Sequence, residues 1–142
     1  MVVLACLVAC GEADDDASPS GALLMFLEAM DAANSDPSSL ETAFRLLDPD
    51  ARAELTERAS KAETLAGREY KPWQMLAEGR FRLRFTPDPH RLRAKIDGDR
   101  AQVSVADPSG KQRVQVPMVR EGTHWRVVLA VPPMYQPPAT GG

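Results

Sequence analysis

Few residues in this chain have a type and setting that suit chemistry. His90 sits in a proline-flanked loop, and His124 sits at the mouth of a hairpin near the end of the sequence. Neither histidine has a carboxylate or cysteine at the spacing of a metal ligand, so no metal and no cofactor is expected. His124 could face a pocket, and Tyr70, Trp73 and Trp125 are the aromatic residues that would line one with it. The plainer reading makes His124 a turn residue and the aromatics core. Asp48 and Asp50 open a helix, where capping accounts for both. There is no phosphate-binding loop and no nucleophile elbow. No catalytic residue is assigned on these grounds.

The elements that must position these residues follow from periodicity. The stretch 112–131, QRVQVPMVREGTHWRVVLAV, reads as two strands around a turn at Glu121-Gly122-Thr123. Val114, Val116 and Met118 alternate with polar residues or proline, and Trp125, Val127, Leu129 and Val131 repeat the pattern after the turn. Such period-two alternation marks strands with one covered face. Upstream, Phe81, Leu83 and Phe85 alternate with Arg80, Arg82 and Arg84, and Leu92, Ala94 and Ile96 with Arg91, Arg93 and Lys95. Ala101, Val103 and Val105 mark a further strand, so about five antiparallel strands are expected. Three helices precede them. Ser18-Pro19, Asp36-Pro37 and Asp48-Pro49 each place a capping side chain before a proline at the first helical position. The helices are expected over about 19–33, 37–47 and 49–66, with a short turn over 72–77. The apolar face of the third carries Ala51, Leu55, Ala59, Ala62 and Leu65, and Gly67 stops it. Helices first and a meander after them define an α+β domain.

At 142 residues, 44% hydrophobic and 26% charged, the chain suits one globular domain. Its net charge of −3 is divided unevenly: residues 1–79 carry a net −9 and residues 80–142 a net +6. An acidic helical half facing a basic strand half is mainly an internal matching of fields, and no nucleic-acid partner is expected. If the apolar residues of the two early strands face the helices, Arg80, Arg82, Arg84, Arg91, Arg93 and Lys95 form one outward strip. That strip is either a solvated face or a surface for an anionic partner. Pro132-Pro133-Met134-Tyr135 fits a WW-domain ligand pattern but reads as part of a proline-rich, disordered tail over 132–142.

The start of the chain is its most specific stretch. Residues 2–9 form an apolar run too short to span a bilayer, ending in Leu7-Val8-Ala9-Cys10. This resembles the lipobox of bacterial lipoproteins. The resemblance implies that Cys10 receives a diacylglyceryl group, that residues 1–9 are removed as a signal peptide, and that the new N-terminus is acylated. It places the protein outside the cytoplasm, anchored to a bacterial membrane on its periplasmic or cell-surface side. Only Met1 precedes the run, where the pattern has a charged stretch. Val3-Leu4-Ala5-Cys6 is a poorer second match. Residues 10–18, rich in Asp and Glu, are expected as a structureless tether. With both cysteines in the signal region, the mature domain is expected to have no disulfide.

A second resemblance lies in the strands. Ile96-Asp97-Gly98-Asp99-Arg100-Ala101-Gln102-Val103 and Arg120-Glu121-Gly122-Thr123-His124-Trp125-Arg126-Val127 are similar to motifs of uncharacterised bacterial lipoproteins with a nuclear transport factor 2-like domain. This implies a cone: three helices packed on a curved sheet over residues 19–131. Catalytic members of that superfamily hold an acid or base inside the cone, whereas this chain offers apolar residues at its inward positions. The resemblance therefore implies a binding or scaffolding module for a small apolar ligand or an envelope protein. An isomerase or dehydratase acting on a small apolar molecule, and a structural envelope component with a filled core, are the alternatives.

Overall fold

The computed structural model describes residues 15–76, 83 and 85–131. Three helices, α1 (Pro19–Ala32), α2 (Ser39–Arg45) and α3 (Pro49–Ala66), precede an antiparallel sheet of four strands, β1 (Arg93–Asp97), β2 (Arg100–Ala106), β3 (Arg113–Glu121) and β4 (His124–Val127). The strands lie in sequence order, as a meander. The domain is α+β, with its helices before its strands. Four strands stand where about five were expected. The missing one was to run through residues 80–85. Of these, Arg80, Phe81, Arg82 and Arg84 lie outside the described residues, and Leu83 and Phe85 are not in a strand.

Two of the three proline caps act as expected. The Ser18 hydroxyl accepts from the Gly21 N–H at 3.0 Å, and an Asp48 oxygen accepts from the Ala51 N–H at 3.3 Å. The third start is displaced. Asp36 spends its carboxylate on the N–H and hydroxyl of Ser38, 3.1 and 2.6 Å away. The first backbone bonds then run i to i+3, from the Ser39 N–H to the Asp36 carbonyl and from Leu40 to Pro37, so the α-helix proper begins at Ser39. Gly67 ends α3 with φ at 68°, in the left-handed region that favours glycine.

The core lies where helices cover the strands. Ala101, Val103 and Val105 of β2 oppose Met118, Val116 and Val114 of β3, and Met118 opposes Val127 of β4. Directly opposed residues share a face, and this face is buried except for partly buried Val114. Leu23 and Phe26 of α1 cover it, and Leu40 and Ala43 of α2 and Leu55 of α3 belong to the same buried cluster. Trp125 is buried on β4, as its place in the alternation requires, with the Arg120 guanidinium 4.9 Å from its ring centre.

Two expectations about burial and one about strand length fail. Every residue of β1 is exposed, including Ala94 and Ile96. This strand is the sheet's outer edge, where alternation persists without a layer to cover it. Leu65 was assigned to the buried face of α3 but is 89% exposed, since the last turns of that helix project past the core. The final strand was expected to run to Val131 but ends at Val127. There the Val128 N–H still donates to the Pro117 carbonyl at 3.0 Å, but Pro117 has no N–H to return the bond.

Candidate functional site

The sheet's final hairpin brings charged groups together on its polar face. Glu121 opposes His124 in the register, and Val119 opposes Arg126. Alternation therefore puts Glu121, His124 and Arg126 on the side away from Trp125 and Val127. From the other end of the chain, residues Asp15–Ala17 form a 3-10 turn just before α1. The Asp16 carboxylate of this turn meets the hairpin. One oxygen lies 2.8 Å from His124 Nδ1, and the other accepts from Arg126 Nη1 at 2.7 Å. An ionised carboxylate only accepts, so His124 Nδ1 carries the proton of that bond. Arg126 Nε also donates to Glu121 at 3.1 Å, and Glu121 pairs with Arg52 of α3. Five side chains from four elements thus form one network of hydrogen bonds and ion pairs.

Electrostatics follow from this geometry. Burial pushes the Asp16 carboxyl up, but the hydrogen bonds and charges of Arg126 and His124 outweigh it and hold the group below its ordinary value. Burial likewise works against the Arg126 cation, and Asp16 and Glu121 more than offset it, so its pKa is raised.

A close contact fixes the acidic turn from the other side. A Cβ built on Gly21 would stand 1.9 Å from the Asp15 carbonyl oxygen and 2.8 Å from the Ser18 hydroxyl. Only glycine lets the turn fold back onto the start of α1. The last part of the expected free tether is therefore packed against the domain, for a reason its acidic composition hides.

Asp48 is the buried carboxylate of the described core, 6% exposed. Its two oxygens accept from the Ala51 and Leu129 N–H groups, and its own N–H donates to the Val127 carbonyl at 2.9 Å. It joins the start of α3 to the exit of β4. Each oxygen accepts one backbone N–H, so the carboxylate ties two chain segments together.

A cavity of about 580 Å³ opens elsewhere, between α1 and the segment leading into β1. Leu24, Leu27 and Met30 face Leu83, Phe85 and Leu92 across it, while Glu28, Asp31 and Asn34 supply polar groups. None of the residues expected to line a pocket reaches it. Tyr70 is engaged by Arg68, whose Nε donates to its hydroxyl at 2.8 Å and whose guanidinium stacks 4.5 Å from its ring centre. Trp73 packs near Phe44, ring centres 6.3 Å apart. His124 is bound to Asp16, and Trp125 is core.

The cationic strip is also rearranged. Arg80, Arg82 and Arg84 lie outside the described residues. Arg91 belongs to a 3-10 turn, Pro89–Arg91, ahead of β1 and pairs with Asp88 at 3.4 Å. Arg93 turns back to the His90 and Leu92 carbonyls. Lys95 remains exposed on β1. Alternation puts Arg93 and Lys95 on one face of β1 and Ala94 and Ile96 on the other, but both faces are open, so no buried set is separated from an exposed one. Cys10 also lies outside the described residues.

Among the described residues, no group of three His, Cys, Asp or Glu side chains is placed to hold a metal, and no helix is long and apolar enough to cross a membrane. Comparison with known proteins finds no matching family model, no matching curated relative and no matching solved structure.

Sequence reasoning missed Asp16, Glu121, Arg126 and Arg52. A signal was present for two of them: Glu121 and Arg126 occupy the polar positions of the hairpin, on the same face as His124. Nothing in the sequence pairs that face with a residue more than a hundred positions away.

Proposed function

We propose that this is a lipid-anchored bacterial envelope protein. Its nuclear transport factor 2-like domain works as a non-catalytic binding module, taking an apolar ligand or an apolar segment of an envelope protein. The anchor is Cys10, and residues 1–9 are the signal. Leu7-Val8-Ala9-Cys10 supports the anchor, five residues before Asp15, where the described fold begins. The observation that carries the binding reading is the cavity against α1. Eight apolar side chains, two of them prolines, form its walls, and the polar residues Glu28, Asp31 and Asn34 are themselves exposed. Such a site, of about 300–1,000 Å³ with few polar groups, is what a small apolar ligand occupies. The isomerase or dehydratase alternative needs a carboxylate free to move a proton, and Asp48 has its oxygens committed to backbone.

Two measurements test this reading. Radiolabelled fatty acid enters the wild-type protein in bacteria and not Cys10→Ala; label retained in Cys10→Ala and lost in Cys6→Ala moves the anchor to Cys6. An environment-sensitive apolar fluorophore brightens on the wild type and loses most of that signal on Leu27→Asp. Equal brightening on both rejects the cavity as the binding site.

A further inference from the structure

We propose that the Asp15–Ala17 turn is an orientation clamp, which holds the anchored domain with its β3–β4 turn facing the lipid headgroups. The proposal rests on the anchor at Cys10 and adds what the folded domain does with that anchor.

A fully extended chain covers at most about 3.5 Å per residue. From Cys10 to Asp15, where the described fold begins, there are five residue steps, or about 17 Å at most. Without the clamp the first fixed residue is Pro19, at the start of α1. The limit then grows to nine steps, about 31 Å. A domain of about 100 residues has a radius of gyration near 13 Å. The longer arm lets such a body turn any side to the bilayer. The shorter arm does not.

The clamp also selects the side. Asp16 is held by His124 and Arg126, next to the turn at Gly122 and Thr123. That end of the sheet includes the β1–β2 turn, because the Arg120 N–H donates to the Asp99 carbonyl at 2.7 Å. The β2–β3 turn around Lys111 is at the other end, beyond the nine residues of β3. At about 3.4 Å per residue, that strand separates the two ends by about 27 Å.

Charge does not supply the contact. Arg52, Arg120 and Arg126 stand at the anchored end with Asp16, Asp97, Asp99 and Glu121. Cations and anions are interspersed, so the surface has no strong pull toward anionic lipid. The lipid supplies affinity, and the clamp supplies orientation.

The clamp can be opened from two independent sides without touching the core. Asp16→Asn weakens the ion pairs, and Gly21→Ala drives a Cβ into the Asp15 carbonyl. The test uses the full lipidated chain in phosphatidylethanolamine–phosphatidylglycerol vesicles doped with a headgroup-nitroxide lipid. A fluorophore is placed on Thr123→Cys or Lys111→Cys, both exposed positions. With the clamp intact, the Thr123 label is quenched several-fold more than the Lys111 label. In Asp16→Asn and in Gly21→Ala, with melting curves showing a folded domain, the two labels are quenched alike. Equal quenching in the unaltered background overturns the proposal, and so does a preference that survives undiminished in both variants. Loss of the anchor reading is a separate outcome: a chain without fatty acid on Cys10 does not load into the vesicles, and the proposal falls with the anchor. Loaded vesicles with equal quenching remove the orientation alone.

Discussion

Strands β1 and β2 carry the same sequence signature and have opposite fates. Leu92, Ala94 and Ile96 alternate with cations as cleanly as Ala101, Val103 and Val105 alternate with their neighbours. Ala101, Val103 and Val105 are buried, while β1 is exposed along its whole length, with Ile96 54% accessible. The two strands pair in register, Ile96 with Ala101 and Ala94 with Val103. Alternation therefore reports which residues share a face. Whether that face is covered depends on where the helices end, and β1 lies at the margin of the layer they form.

The sharpest way to test this difference is to truncate both sides. Trp125→Ala, in the covered part of the sheet, should cost about 3–5 kcal/mol in a urea titration, the range for a large buried aromatic. A loss under ~1 kcal/mol would place Trp125 outside the core. Asp48→Ala should come next. It removes a helix cap and leaves the Leu129 N–H without its acceptor, for a combined cost of about 2–3 kcal/mol. A cost within about 0.5 kcal/mol, as at an ordinary surface position, would show that water replaces both bonds. Ile96→Ala should be the smallest, within about 0.5 kcal/mol. A cost approaching that of Trp125→Ala would mean that β1 is covered in solution.

Local rules made much of this fold legible. The helix starts at Pro19 and Pro49, the stop at Gly67, and the inward set Ala101, Val103, Val105, Val116, Met118, Trp125 and Val127 all follow from caps and periods. Local rules failed where a distant or competing partner decided the outcome. The turn after Asp36 closes with i to i+3 bonds, and α2 starts two residues later than its cap suggests. Pro117, opposite Val128, has no N–H to continue the β3–β4 ladder, and the last strand ends at Val127. The candidate sites were least legible. The cavity joins α1 to a segment about sixty residues later, and its apolar residues read as ordinary core. Asp16 looked like one more charge in an acidic tether, because its partners on β4 are distant in sequence. The single local clue was Gly21, a glycine inside the first turn of a helix, where propensity alone disfavours it.

The central claim is that the acidic segment before α1 belongs to the folded domain. A double-mutant cycle on Asp16→Asn and Arg126→Gln, read by urea unfolding, tests it most directly. The account predicts a coupling of about 1 kcal/mol near neutral pH, between that of an exposed ion pair and a buried charge-assisted bond. The folded state lowers the Asp16 pKa below its ordinary 3.8. Its contribution is therefore complete above that value and fades as pH falls through the lowered one. A coupling near zero at neutral pH, unchanged on acidification, would contradict the account and return Asp16 to a free tether.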